Sequence, residues 1–259
     1  MTKLRALIFD VDGTLADTER DGHRVAFNRA FAEANLNWNW SVDLYGELLA
    51  VAGGKERISF YLQQYCPNFT IPSDNFIADL HANKIKHYRQ LLAEGIIPLR
   101  PGVKRLIKEA HSKGIRLAIA TTSAYPNVIS LLENNLDSSW FEIIAAGDIV
   151  PAKKPAPDIY YYVLDKMNLQ PQDCLVIEDS HHGLQAANQA SLPAIITFNN
   201  YTQNQDFSAA LLVLNHLGEP DLPFTVKAGK AKDASYVDLA MLDDLLKSCQ
   251  KQDLGKIKR

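Results

Sequence analysis

Short apolar segments of strand length recur along the chain, and this recurrence limits the possible folds more than any other feature of the sequence. Each segment is rich in Ile, Leu, Val or Ala and has little polar alternation, which is typical of parallel strands buried on both faces. Helical patterns at residues 101–113, 158–167 and 183–190 separate the later segments. This alternation predicts an α/β fold with a doubly wound parallel sheet, in which ligands bind at the carboxyl ends of the strands. The predicted strands are residues 6–9, 115–120, 143–146, 175–177 and 194–198.

The stretch from about residue 17 to residue 95 contains successive helical patterns and no convincing strand. Because it directly follows the first strand, it predicts an all-helical domain inserted into the α/β fold. Further along, residues 211–214 are a candidate sixth strand, residues 225–235 have the composition of a linker, and residues 236–249 mix strand and helix signals. The predicted division is a core of residues 1–16 and 97–224, a helical insertion of residues 17–96 and a C-terminal extension of residues 225–259.

The composition of the chain excludes several classes of function. With 27 Lys and Arg against 30 Asp and Glu, the formal net charge is −3, so the chain lacks the basic field that binds nucleic acid. The longest apolar run, residues 209–214, is far shorter than the roughly 20 residues that cross a bilayer. Cys66, Cys174 and Cys249 form no Cys-x-x-Cys pair, and the first residues show no signal-peptide pattern. We expect a cytoplasmic monomer that acts on a small molecule and binds neither nucleic acid nor membrane.

Two carboxylates stand just beyond the first predicted strand, in the segment Asp10-Val11-Asp12-Gly13-Thr14. Desolvated carboxylates repel each other unless a cation or a proton separates them, so a pair at this position indicates a metal site. Gly13 permits the sharp turn that would direct both carboxylates into one cleft at the carboxyl edge of the sheet.

Further polar groups follow the later strands in order. Thr121 comes at the end of the second predicted strand, Lys154 stands in a Lys-Pro-x-Pro context ahead of a helix, and Glu178 and Asp179 follow the fourth strand. Together with Asp-x-Asp-Gly-Thr, this ordered set resembles the four motifs of the haloacid dehalogenase-like hydrolase superfamily. The resemblance implies a Rossmann-like core and the hydrolysis of a phosphate ester.

The resemblance also implies a role for each acidic residue. Asp10 would attack phosphorus and form an aspartyl-phosphate, while Asp12 would protonate the leaving alcohol and later accept a proton from the attacking water. Mg²⁺ would be bound by Asp10, the carbonyl group of Asp12 and Asp179, with Glu178 binding it directly or through water.

The remaining motif residues would bind the phosphoryl group that is transferred. Lys154 would supply a positive point charge to its oxygens. The hydroxyl group of Thr121 and the groups that follow it, at Thr122 and Ser123, would hold the same oxygens as negative charge develops on them.

The position of the helical insertion, directly after the first motif, resembles the cap domain of the β-phosphoglucomutase-like and phosphoglycolate phosphatase-like branch of the superfamily. Residues 17–28, 53–58 and 177–184 look most like the CbbY-type sugar bisphosphate phosphatases, and the resemblance continues to about residue 218. It implies hydrolysis of xylulose 1,5-bisphosphate to xylulose 5-phosphate.

Four residues of the helical insertion are candidates for substrate binding: Glu19, His23, Lys55 and Arg57. A bisphosphate needs a second anion site, and Lys55 and Arg57 at a Gly-Gly helix entry could provide one through charge and helix N-terminal amides. The alternative is that both belong to a solvated helix face. His23 could touch the substrate or Asp12, or could simply be packed.

Two other functions remain open for this sequence. A β-phosphoglucomutase-like phosphotransferase would pass the phosphoryl group to a sugar, but its pattern has a His twelve residues after the nucleophile, where this chain has Gly22. A non-catalytic ligand-binding module on the same fold would be expected to have lost Asp10 or Asp12, and both are present. A haloacid dehalogenase is disfavoured because its chemistry has no need for Asp12 or a metal.

Overall fold

The computed structural model describes residues 3–51, 53–232 and 234–257 of the chain, with side chains described as far as residue 250. Within these ranges a seven-stranded sheet forms in the order β3-β2-β1-β4-β5-β6-β7. Its strands are β1 Ala6–Phe9, β2 Arg116–Thr121, β3 Phe141–Ala146, β4 Cys174–Glu178, β5 Ala194–Thr197, β6 Leu212–Leu214 and β7 Val226–Gly229.

The first six strands are parallel, and β7 pairs with β6 in the antiparallel direction. The chain builds β2 and β3 on one side of β1 and then β4, β5 and β6 on the other. The strand order therefore reverses at β1, and in a doubly wound sheet the ligand site lies at such a switch point, beyond the carboxyl ends of the strands.

Helices account for about half of the remaining described chain. They are α1 Arg24–Glu33, α2 Val42–Leu48, α3 Gly54–Tyr65, α4 Phe76–Ala93, α5 Val103–Ser112, α6 Tyr125–Glu133, α7 Asp158–Met167, α8 His181–Gln189 and α9 Leu239–Ile257. A single π-helical turn, Thr18–His23, precedes α1. No helix in the part of the chain that the structure describes is long and apolar enough to span a membrane.

The chain divides into two compact units. The core unit comprises the described parts of Met1–Asp17 and Pro98–Arg259, and the helical unit comprises Thr18–Ile97. In the core unit, Ile159 and Val163 of α7 and Leu184 of α8 pack with alternate strand residues such as Ile8 and Val176. Because apolar side chains on both faces of the strands are covered, the strands carry the continuous apolar runs seen in the sequence.

The helical unit has an aromatic core. Phe27 and Phe31 of α1 pack against Trp40, with ring centroids 4.6 and 4.9 Å apart, and Tyr45 of α2 lies 6.1 Å from Phe27. The side chain of Asn28 fixes the segment after α1, because it accepts from the Trp40 backbone N–H at 2.8 Å and donates to the Trp40 carbonyl at 3.0 Å. These tertiary contacts stabilise α2, which is too short to be a stable helix by itself.

The predicted strands and helices of the core unit are confirmed, with ends that differ from the prediction by at most two residues. The clear difference is at residues 225–235, where linker composition conceals β7. All four residues of β7 are exposed, so the strand has no apolar pattern that could indicate it. The mixed signals of residues 236–249 resolve into the start of α9.

Candidate active site

The strand ends bring the four predicted motifs of the core unit together. Phe9 of β1 is paired with Ile119 of β2 and with Ile177 of β4, so the residues that follow these strands meet at one edge of the sheet. The Asp10 backbone N–H continues the ladder by donating to the Ile177 carbonyl at 3.0 Å. Asp10 therefore begins its loop between the ends of β2 and β4, beside the switch point of the sheet.

Lys154 joins the acidic residues of this edge. Its ammonium donates to Asp10 Oδ1 at 2.8 Å, to Glu178 Oε1 at 2.5 Å and to the Ala120 carbonyl at 2.8 Å. The three N–H donors of the ammonium are thus directed at three fixed acceptors. The structure thus brings Lys154, which is predicted to supply a point charge to the phosphoryl oxygens, together with Asp10 and Glu178.

Three buried carboxylates form one group, and two of them, Asp10 and Glu178, contact the Lys154 ammonium. Ligand oxygens of Asp10, Glu178 and Asp179 all lie within 4.8 Å of one another. Burial raises the pKa of Asp10 from 3.8 to about 7, although the Lys154 charge lowers it. Burial also raises the pKa of Asp179 well above its ordinary value, and the charges of Glu178 and Asp10 raise it further. Ionising all three carboxylates therefore requires more positive charge than one ammonium supplies.

The two oxygens of Glu178 are already used by protein donors. Oε1 accepts from Lys154 and, at 3.2 Å, from the Tyr160 hydroxyl. Oε2 accepts from the backbone N–H groups of Asp179 and Ser180 at 3.0 and 3.3 Å. Glu178 thus supports Lys154 and the turn into α8, whereas Asp10 and Asp179 have oxygens better placed to bind a cation.

Asp179 lies against the loop that follows β1. Asn199 Nδ2 donates to Asp179 Oδ2 at 2.7 Å. Gly13 has a φ of +86°, and a Cβ at this position would overlap the Asp179 carboxylate. Glycine is therefore required here both for the backbone conformation and for the close approach of the loop to Asp179. The three carboxylates offer oxygen ligands and carry more negative charge than Lys154 neutralises. Both properties suit a hard divalent cation.

The residues after β2 contact the second carboxylate of the first motif. The Ser123 hydroxyl donates to Asp12 Oδ2, and the Ser123 backbone N–H donates to Thr121 Oγ1 at 3.2 Å. Thr121 is buried and Thr122 is exposed. The structure thus brings Thr121, Ser123 and Asp12 together, at the edge of the sheet that carries Asp10.

In the helical unit, the predicted residues Glu19 and Arg57 are joined through Tyr45. The Tyr45 hydroxyl donates to Glu19 Oε2 at 2.7 Å and accepts from Arg57 Nη1 at 2.9 Å. Arg57 also donates to the carbonyls of Leu48 and Val51, at 3.1 and 3.2 Å. Arg57 therefore fixes the segment between α2 and α3, while Lys55 at the start of α3 is exposed.

A buried lysine that the sequence analysis missed contacts His23. Lys84 Nζ donates to His23 Nδ1 at 2.7 Å and lies 5.3 Å from the ring centroid of Tyr88, on which His23 stacks at 3.8 Å. Burial lowers the pKa of His81, and the charges of Lys84 and Lys55 lower it further. We call the two lysines, Lys55 and Lys84, together with the neighbouring His23 and His81 side chains, the cationic cluster, in which the lysines carry the positive charge. A lysine on a helix carries no local sequence signal that distinguishes it from a solvated one.

Comparisons with known proteins identify the family. The family model of the haloacid dehalogenase-like hydrolases matches residues 4–191. The plasmid-encoded protein CbbY of Cupriavidus necator is 46% identical over 244 residues, which are 92% of this chain and 95% of that protein.

Solved structures agree with the sequence relatives. CbbY from Rhodobacter sphaeroides in complex with phosphate has a TM-score of 0.68 and 43% identity, covering 82% of this chain and 94% of that one. A mutant of the same protein in complex with xylulose 1,5-bisphosphate has a TM-score of 0.67 and 42% identity over the same shares. The chain therefore belongs to the haloacid dehalogenase-like hydrolase family, among relatives named CbbY, and is a phosphatase of that family.

Proposed function

We propose that this protein is a Mg²⁺-dependent phosphatase that hydrolyses xylulose 1,5-bisphosphate to xylulose 5-phosphate through an aspartyl-phosphate. The observation that carries the proposal is the buried group of Asp10, Glu178 and Asp179 at the switch point of the sheet, with Lys154 paired to Asp10 and Glu178. The choice of sugar is supported by the bisphosphate bound to the Rhodobacter relative.

The proposed reaction begins at Asp10. A carboxylate oxygen of Asp10 attacks phosphorus, the bond from phosphorus to the sugar oxygen breaks, and Asp12 gives its proton to that oxygen. A water molecule then attacks the phosphorus of the aspartyl-phosphate, Asp12 takes its proton, and inorganic phosphate leaves with Asp10 regenerated. The hydrogen bond from Ser123 holds the Asp12 carboxylate in a fixed orientation for both proton transfers.

Charge is the main obstacle to this reaction, because an anionic nucleophile approaches an anionic phosphoryl group. Lys154 offsets part of the charge and keeps Asp10 next to Glu178. Asp10 and Asp179 would bind Mg²⁺ directly, and Glu178 would act through Lys154 and the turn into α8. When bound, the ion would neutralise the carboxylates and polarise the phosphoryl oxygens.

The cationic cluster would bind the phosphate that is not cleaved. Lys55 is exposed at the start of α3, and Lys84 is a buried cation held by His23. At the start of α3, a Cβ at Gly53 would overlap the Glu56 carboxylate and a Cβ at Gly54 would overlap the His81 ring. A phosphate bound at this helix N-terminus would take the place of the Glu56 carboxylate. Arg57 would position this segment through Val51, Leu48 and Tyr45 instead of touching the substrate.

A substrate panel tests the proposal. The purified protein is assayed for phosphate release from xylulose 1,5-bisphosphate, ribulose 1,5-bisphosphate, glucose phosphates and phosphoglycolate, with and without Mg²⁺. We expect the highest kcat/KM on xylulose 1,5-bisphosphate and free phosphate as a product. Transfer of the phosphoryl group to sugar without phosphate release would assign a phosphotransferase instead, and no turnover of any substrate would contradict the proposal.

A further inference from the structure

Arg100 lies just before α5, is 7% exposed, and contacts backbone carbonyls from three separate parts of the core unit. Its Nη1 donates to the carbonyl of Gly13 and, at 2.7 Å, to that of Thr197. Its Nη2 donates to the carbonyls of Phe198 and Asn215, each at 2.6 Å. One side chain therefore joins the loop after β1 to the ends of β5 and β6.

Asp17 and Leu15 fix the position of Arg100 itself. Arg100 Nε lies 3.2 Å from Asp17 Oδ1, and the Arg100 backbone N–H donates to the Leu15 carbonyl at 2.8 Å. A buried guanidinium costs several kcal/mol unless it is paired and its donors are satisfied. The planar guanidinium has five N–H donors on three nitrogen atoms and can donate to several carbonyls at once. A lysine ammonium has three donors on a single nitrogen and could not satisfy the same set of carbonyls.

Two of the three segments that Arg100 joins adjoin Asp179. Asn199, which donates to Asp179 Oδ2, directly follows Phe198. The backbone of Gly13 approaches the Asp179 carboxylate from the loop after β1, and Arg100 holds Gly13 by donating to its carbonyl.

We propose that Arg100 is a positioning residue that holds the Asp179 carboxylate in its metal-binding orientation by fixing the Gly13 turn and the segment before Asn199. The inference rests on the proposed function, since it takes Asp179 as a metal ligand. Groups that orient metal ligands from behind commonly change metal affinity or activity by about ten- to a hundredfold when they are replaced.

The test compares Arg100→Lys and Arg100→Met with the wild-type full chain. Binding of Mg²⁺ alone is measured by calorimetry, and kcat, KM and the half-saturating Mg²⁺ concentration are measured on xylulose 1,5-bisphosphate. We expect Mg²⁺ affinity to fall by about ten- to a hundredfold in both variants, and kcat at low Mg²⁺ to fall with it. KM for the sugar should change little, because the carbonyls to which Arg100 donates, those of Gly13, Thr197, Phe198 and Asn215, belong to no candidate substrate-binding residue.

Arg105 provides a matched control. It also donates to a backbone carbonyl, that of Gly218 at 2.9 Å, and pairs with Glu219 at 3.1 Å, but none of these groups adjoins Asp179. Arg105→Met should lower the melting temperature and leave Mg²⁺ affinity unchanged.

Several outcomes would overturn the proposal for Arg100. Wild-type Mg²⁺ affinity in both Arg100 variants would do so, as would an equal loss in Arg105→Met. Failure of both Arg100 variants to fold would also overturn it, because Arg100 would then be needed for the fold itself. A wild-type protein that binds Mg²⁺ but hydrolyses no sugar phosphate would instead refute the proposed function, and the calorimetry would still decide the role of Arg100.

Discussion

Replacing Asp10 with asparagine should abolish turnover and stabilise the metal-free protein at neutral pH. Asparagine has nearly the same shape as aspartate but no charge to bury, and it cannot act as the nucleophile. Burial raises the pKa of Asp10 from 3.8 to about 7, so keeping it ionised in the folded site is unfavourable. A shift of roughly three pKa units corresponds to about 4 kcal/mol, which is the upper limit of the expected stabilisation.

The pH dependence follows from the direction of this shift. The folded state holds the Asp10 proton more tightly than the unfolded state, so the Asp10 contribution to the free energy of unfolding is largest below pH 3.8. It decreases as the pH rises and is fully lost above about pH 7, the pKa of Asp10 in the folded protein. Asp10→Asn cannot ionise and should lack this decrease.

The assay is urea unfolding of both proteins in EDTA, from about pH 4 to about pH 8. The free energies of unfolding of the two proteins should be equal near pH 4. They should diverge as the pH rises, with Asp10→Asn the more stable protein. Asp137→Asn is a control of opposite sign. Hydrogen bonds from Ser139 lower the pKa of Asp137 below its ordinary value of 3.8, so Asp137→Asn should be less stable than wild type at pH values above 3.8. A variant that is no more stable than wild type at the upper pH, or equally pH-dependent, would refute the reasoning.

Three further predictions concern the metal, the cationic cluster and the turn into α8. Excess EDTA should stop phosphate release and Mg²⁺ should restore it, with Asp179→Asn raising the half-saturating Mg²⁺ concentration; full activity in EDTA would contradict the proposed metal dependence. Lys55→Ala should lower kcat/KM on the sugar bisphosphate by about ten- to a hundredfold and barely affect an aryl monophosphate. Arg57→Ala, the matched control, should lower the melting temperature and reduce activity on both substrates alike. If Lys55→Ala also lost activity equally on both substrates, Lys55 would support the fold and not bind the second phosphate. Gly183→Ala should reduce kcat strongly, because its Cβ would overlap the Glu178 carboxylate, and wild-type kcat would mean that Glu178 can move without consequence.

Much of the core unit could be predicted because its strands are buried on both faces. The first strand and the helix at residues 158–167 have the predicted bounds, since continuous apolar runs and a well-marked helical period define them locally. β7 could not be predicted, because it is held by hydrogen bonds to β6 and has no buried side chain. Backbone pairing of this kind leaves no trace in the sequence of the strand itself.

The candidate site was predictable where its residues directly follow strands. Asp10, Glu178 and Asp179 come together because adjacent parallel strands end at the same edge of the sheet. Lys84 and Arg100 were missed, because their importance comes from burial and from partners that are distant in sequence. An isolated Lys or Arg is usually a surface residue, so the sequence alone favours the wrong interpretation.

β7 lies beyond the segment that the family model matches, yet it has a protective role for the whole sheet. β6 is a run of three buried apolar residues, Leu212–Leu214, and β7 covers its hydrogen-bonding edge. A chain that ended before residue 225 would present that apolar edge to solvent, which is a template for association with other chains. β7 is itself a poor template, because it is short and carries the charged side chain of Lys227. We therefore expect shortened forms of this chain to be lost to aggregation during expression, well before any effect on catalysis could be measured.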